Sequence, residues 1–229
     1  MSKSHICVSF SGMQLYEGCP SAFQRRYILK EDTSHVPDGT SPAAVRGTRV
    51  HKGVENYLLR KEPELPEEAL AFEGLFEGIR DGRDALPEEK FCFDEDWERV
   101  PFEDKERGRV RGILDIAYYD DETNTAYVQE LKTGKKYPEH SKQRSLYGLA
   151  GLLMFPEADN VVVNTVYLDG ALVDALTISR AQMESYQYVW QRYINKPQPP
   201  QPYTAKKNWK CRFCPYNAEV GGKCQTGKK

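Results

Sequence analysis

Long hydrophobic runs are missing from this chain of 229 residues. No apolar stretch of about 18 residues occurs, and Met1-Ser2-Lys3-Ser4-His5 opens no apolar run with a cleavage site, so neither a membrane span nor a secretory signal is read. An intracellular, cytoplasmic protein is expected. An excess of one charge is missing too: 32 lysines and arginines face 34 aspartates and glutamates, for a net charge of −2. Nucleic-acid binding would therefore have to come from local patches such as Arg107, Arg109 and Arg111, or Lys132, Lys135, Lys136 and Lys142. Plain solvated lysines fit the same residues. No internal repeat or long low-complexity segment interrupts the sequence. At 39% hydrophobic and 29% charged, the composition is that of a soluble globular chain. One domain over 1–229 is expected, with a helical N-terminal part (1–40), a core (41–195) and a proline-rich connector and tail (196–229).

What is present is concentrated in two segments, Gly112-Ile113-Leu114-Asp115 and Gln129-Glu130-Leu131-Lys132-Thr133-Gly134-Lys135. Arg109 to Tyr119 and Thr125 to Lys132 read as strands flanking the turn-forming run Asp120-Asp121-Glu122-Thr123-Asn124, which makes an antiparallel hairpin. Side chains alternate along a strand, so Ala126, Val128, Glu130 and Lys132 share one face, and Asp115 shares one with Ile113 and Ala117. A single register then brings Asp115, Glu130 and Lys132 together as two acids beside a cation. That set suits cleavage of a phosphodiester: carboxylates hold Mg2+ or Mn2+, and a lysine orients the attacking water and offsets developing charge. A solvated strand face with a cross-strand ion pair fits the hairpin equally.

Around the hairpin, Ser11 and Gln14 are spaced as a capping box for a short helix, and Pro20 suits the first turn of a second, on which Phe23 and Tyr27 lie four apart. Pro42 to Lys61 reads as a long helix with the stripe Val50, Val54, Tyr57 and Leu58. His51 lies beside that stripe, where it suits a core or surface role as well as a ligand's. Ser141 to Phe155 reads as a helix with Leu146, Leu149 and Leu153 inward, and Gln143 and Tyr147 aimed at one spot. Val161 to Leu168 and Leu172 to Ile178 read as strands about Asp169-Gly170. Ser179 with Gln182 caps a last helix to about Ile194. Six cysteines in such a chain suit free thiols or metal ligands better than disulfides. Cys7 and Cys92 stand alone in apolar surroundings. Cys19, Cys211, Cys214 and Cys224 read as one site, since thiolates select iron–sulfur clusters or Zn2+. The run Asn195 to Pro202 is an extended connector leading to the last three.

Taken in order, His51, Asp115, Glu130-x-Lys132 and Gln143-x-x-x-Tyr147 resemble the PD-(D/E)XK nuclease superfamily in its RecB-like branch. The pattern Ser9-x-Ser11-x-x-x-Leu15-Tyr16-x-x-Cys19-Pro20-x-x-Phe23, with Cys211-x-x-Cys214-Pro215 and Cys224, is similar to members carrying an iron–sulfur cluster: CRISPR adaptation exonucleases, the AddB nuclease domain and phage relatives. The resemblance implies a mixed α/β (α+β) fold with a central mixed sheet flanked by helices. In it a C-terminal cysteine knuckle is tied to the N-terminal helix. It implies Mg2+ or Mn2+ held by His51, Asp115, Glu130 and the Leu131 carbonyl, Lys132 as catalytic lysine, and Gln143 and Tyr147 placing the DNA strand. Cys19, Cys211, Cys214 and Cys224 would hold a [4Fe-4S] cluster, with Zn2+ as the alternative. The gap from Cys214 to Cys224, containing Gly221-Gly222, is wider than the pattern and leaves the fourth ligand open. The expected activity is exonucleolytic hydrolysis of DNA, single-stranded or at ends, in recombination, repair or CRISPR adaptation. A homo-oligomer or partner proteins of those processes, and a phage-encoded origin, fit the same reading. The alternatives are a catalytically silent nucleic-acid-binding subunit or a zinc-stabilised structural module.

Overall fold

The computed structural model describes residues 5–35, 42–199 and 201–226. Met1–Ser4, whose lack of an apolar run was read above, and Pro200 of the expected connector lie outside the described residues. Five strands form one sheet in chain order: β1 (Leu86–Phe93), β2 (Val110–Asp120), β3 (Thr125–Lys132), β4 (Asn160–Tyr167) and β5 (Leu172–Ser179). Neighbours are antiparallel except β3 and β4, which run parallel. A parallel pair needs a crossover, and α5 (Glu139–Met154) supplies it. The mixed sheet flanked by helices is the expected class. The expected antiparallel hairpin forms, with Ile116 opposite Gln129 and Asp120 opposite Thr125.

Each face of the sheet carries its own core. On one side Leu114, Ala117, Ala126, Val128, Val161 and Val163 meet Leu146, Leu149 and Leu152 of α5, together with Met13 of α1 (Phe10–Gly18) and Trp190 of α6 (Met183–Asn195). On the other, Ile116, Tyr118, Leu131 and Val166 meet Val50, Val54 and Tyr57 of α3 (Pro42–Leu58) and Phe76 and Ile79 of α4 (Glu73–Gly82). Both faces of the central strands β2, β3 and β4 are covered, which is why these strands are rich in apolar residues. The helix α5 comes close to the sheet because Gly148 and Gly151 face it: a Cβ at Gly151 would stand 2.7 Å from Val161 Cγ2. Leu152 is fully buried, and Leu153, expected inward, is only partly so.

Several elements escaped the sequence. Strand β1 and helix α4 were not anticipated, because Pro87-Glu88-Glu89-Lys90 hides a strand behind charge. The first helix is capped by Ser9, whose Oγ accepts from Gly12 N at 3.2 Å. Ser11, the expected cap, lies inside that helix and bonds Ser9 Oγ at 3.1 Å. The second helix begins at Pro20 as expected, as α2 (Pro20–Phe23) continued by a wider turn over Gln24–Ile28, with Phe23 and Tyr27 in ring contact. The Ser179–Gln182 capping box is present. Cys7 and Cys92 do not stand alone: their sulfurs are 3.8 Å apart, since Val8 bridges to Val110 beside the end of β1.

The tail folds back on the start of the chain. Gln198 donates to the Ile6 carbonyl and accepts from its N–H at 2.9 and 2.8 Å, Ser21 N–H donates to Thr204 O, and Asn208 Nδ2 donates to Gly18 O. Beyond these anchors the tail is largely irregular, with short 3-10 turns at Trp209–Phe213 and Ala218–Val220.

Candidate active site and cysteine knuckle

The site forms where β2 and β3 part. Their pairing stops at Ile116 and Gln129, one residue short of Asp115 and Glu130. An amide beyond the last pair lacks a strand partner, and Asp115 supplies one: its Oδ2 accepts from Leu131 N–H at 2.7 Å. Side-chain alternation slips here, since Leu114 packs on the same core as Ala117 while Ile116 joins the opposite one. The simple rule that places Asp115 with Ile113 and Ala117 does not hold through this point.

Helix α3 delivers His51 from above. Gly47, one turn earlier, lets the helix approach Thr133, whose Oγ1 would lie 3.3 Å from a Cβ there. Arg46 clamps the same place, donating to the Thr133 carbonyl and to Asp169. His51 Nδ1 then sits 3.3 Å from Asp115 Oδ1. Lys132 Nζ donates to Glu130 Oε1 at 2.5 Å, and Gln143 Nε2 reaches the same oxygen from α5 at 2.8 Å. Tyr147, one turn further along α5, is buried, with its ring edge-on to Phe91. His51, Asp115, Glu130, Lys132 and Gln143 thus share one site.

Sequence reading missed Glu88. Ligand atoms of His51, Glu88 and Asp115 lie within 4.8 Å of one another, a His-Glu-Asp set able to hold a metal ion. Glu88 is skipped in the β1–β2 pairing, between Pro87 opposite Ile116 and Glu89 opposite Leu114, and its φ is 52°. A left-handed conformation in a non-glycine strand residue costs roughly 1–3 kcal/mol and is found where geometry serves a site. No element or role is read from the sequence for this segment.

The electrostatics are those of crowded carboxylates. Burial, then repulsion from Asp115, pushes Glu130 up to about 7 despite the Lys132 ammonium. Burial and Asp115 likewise raise Glu88. For His51, burial disfavours the charged ring, but the hydrogen bond and charge of Asp115 with Glu130 outweigh it and raise its pKa. Lys132 is also raised, the neighbouring carboxylates overriding its burial. Burial, reinforced by Glu130, raises Tyr147 well above the ordinary phenol. Glu130 Oε2 is buried without a hydrogen-bond partner. Glu130 stands outside the set of His51, Glu88 and Asp115 whose ligand atoms lie within 4.8 Å, but its charge is coupled to Asp115 and His51, and a divalent cation there suits its orphaned oxygen.

The basic patches read from sequence are mostly neutralised. Arg107 pairs with Asp94, Arg109 with Glu95, Lys136 with Asp174 and Lys142 with Glu17, while Arg111 lies over the Phe102 ring. The four clustered cysteines line a single cavity of about 840 Å³ between the first helices and the tail. Lys206 N–H points at Cys19 Sγ and Asn208 N–H at Cys211 Sγ, at 3.5 and 3.4 Å. Burial raises Cys214, with the nearby thiols of Cys19, Cys211 and Cys224 adding to it. Among the described residues no three of these sulfurs lie within 4.8 Å of one another.

A mixed sheet that parts around an aspartate, with a glutamate and a lysine two residues apart on the next strand, defines a nuclease core of the kind that uses divalent metal. The family model of the PD-(D/E)XK nuclease superfamily matches residues 7–218, and the chain belongs to that superfamily. Among solved structures it is similar to SSO0001, at 15% identity and TM-score 0.50, covering 97% of this chain and 87% of that one. A protein from Eubacterium rectale provisionally described as an exonuclease matches at 13% identity and TM-score 0.49, over 93% and 88% of the two chains. No curated protein sequence matches. No helix among the described residues is long and apolar enough to cross a membrane.

Proposed function

We propose that the protein is a Mg2+- or Mn2+-dependent exodeoxyribonuclease of the RecB-like branch, acting on single-stranded DNA or DNA ends in recombination, repair or CRISPR adaptation. The observation that carries this reading is the buried, unpartnered Oε2 of Glu130 beside Asp115, His51 and Lys132. His51, Asp115, Glu130 and the Leu131 carbonyl, with Glu88 as a further carboxylate, would hold the divalent ion, which supplies Lewis-acid stabilisation of the phosphate and a lower pKa for the attacking water. Asp115 fixes its own orientation by accepting the Leu131 amide. Lys132, kept protonated by Glu130, orients the water and offsets charge as the leaving oxygen departs. Gln143 reaches the reacting end of Glu130, so its amide stands where a phosphate would pass, with Tyr147 buried behind it.

The four cysteines are assigned to a [4Fe-4S] cluster. Zn2+ on the same four thiolates is the alternative, since thiolates suit both groups. The cluster's role is to fasten the tail to the first helix, closing a loop of nearly the whole core.

The test is degradation of end-labelled single-stranded and duplex DNA by anaerobically purified protein with Mn2+, Mg2+ or EDTA. Label is expected to be lost only with metal, with Asp115→Ala and Lys132→Ala each at least about 100-fold slower. Equal activity in the variants identifies a contaminant. Inactivity of folded, metal-replete protein favours the silent accessory subunit, and zinc without iron favours the structural module.

A further inference from the structure

Between Glu184 and Glu219 the sequence carries six lysines and arginines and no aspartate or glutamate, in a chain whose net charge is −2. The cations are densest in Lys206-Lys207-Asn208-Trp209-Lys210-Cys211-Arg212-Phe213. Trp209 and Phe213, which a folded chain ordinarily buries, are 66% and 68% exposed. Their rings meet edge to face at 6.4 Å. Arg212 lies 4.6 Å from the Phe213 centroid and 5.7 Å from that of Trp209, and Lys210 lies 5.7 Å from Trp209. In contrast to the arginines near β2, Lys206, Lys210 and Arg212 form no ion pair with any carboxylate among the described residues. The turn is held rigidly, since Asn208 caps it through Lys210 N–H and ties it to Gly18 O. The two rings also line the cavity that Arg26 and Lys30 border from the N-terminal side.

We propose that the Trp209–Phe213 turn is a binding surface for single-stranded DNA outside the catalytic centre, with unpaired bases stacked on the two rings and the phosphates met by Lys206, Lys210 and Arg212. This rests on the reading that DNA is the substrate. Base stacking on an aromatic ring is indifferent to base identity, and cations set between the rings match the alternation of base and phosphate along a strand. A paired duplex hides its base faces and so does not engage the rings. An acidic protein segment would use the cations but has no call on two exposed aromatic rings.

The experiment measures binding of fluorescein-labelled oligothymidylate by anisotropy, in EDTA so that no turnover occurs. Trp209 fluorescence serves as a second readout, because Trp97 and Trp190 are buried. Oligothymidylate is expected to quench the exposed tryptophan and to bind more tightly than a duplex of equal length. A Trp209→Ala, Phe213→Ala protein should bind roughly 10- to 100-fold more weakly, whereas Trp209→Tyr, Phe213→Tyr, which keeps both rings, should bind close to wild type. Changing Lys210→Gln and Arg212→Gln should lower the slope of log affinity against log salt by about 1.4. Wild-type binding by the alanine protein, equal losses in the alanine and tyrosine proteins, or preference for duplex would overturn the proposal. Failure of the nuclease reading shows separately, as absence of metal-dependent loss of end label at saturating DNA with the wild-type protein.

Discussion

At the scale of single residues, Glu130 concentrates the cost of building the site. Its folded pKa of about 7 lies above the ordinary carboxylate value of 4.5, so the folded state holds its proton more tightly. The stabilisation is complete below about pH 4.5 and is lost as pH rises through about 7. In EDTA, Glu130→Gln should therefore gain stability over wild type as pH is raised from 5 to 8, on the order of 5 °C in Tm. Thermal melts at the two pH values check this, and saturating Mn2+ should shrink the difference. Glu88 makes a second residue-scale prediction: Glu88→Gln should weaken Mn2+ binding by roughly tenfold or more, read by calorimetric titration. Unchanged affinity would remove Glu88 from the metal site. Asp115, Glu130 and Lys132 were legible as neighbours because a polar turn between two apolar runs marks a hairpin, although side-chain alternation does not carry through Asp115. Glu88 was not, because its neighbour in the site is set by pairing between strands distant in sequence and by a backbone angle that no side-chain pattern announces. The two serines at positions 9 and 11 show the same limit in small: both suit a cap, and only the entry path of the chain selects Ser9.

At the scale of elements, α5 links the fold to the chemistry. Its glycines let it lie close on β3 and β4, and that seat carries Gln143 to Glu130. Gly151→Val would drive a branched side chain into Val161, for an expected loss of about 1–3 kcal/mol by denaturant unfolding. Any shift of the helix should also reduce cleavage, so activity should fall further than the unfolded fraction explains. The helix was legible from its apolar spacing, its closeness to the sheet was not: a glycine in a helical pattern reads as a weak spot until the surface beneath it is known. The Cys7–Cys92 neighbourhood went unread for a related reason, since it depends on β1, whose charged residues conceal its strand character.

At the scale of the whole molecule, the four cysteines line one cavity between the first helices and the tail, which the proposed cluster would fasten together. Cys19→Ser is expected to lower iron and sulfide content, read by elemental and sulfide assay, and to lower Tm by several degrees. A variant that keeps full iron content excludes Cys19 as a ligand. The closure of the chain on itself also sets a timetable for synthesis. Among the described residues the backbone of Ile6 is paired by Gln198, and Val8 bridges to Val110. At about 5–20 residues per second, the opening segment waits roughly 10–40 s on the ribosome before its last partner emerges. Until then the nascent chain keeps Phe23 without its ring contact to Tyr203. The stretch around Gln198 is thus the one that decides when the segment around Ile6 becomes native.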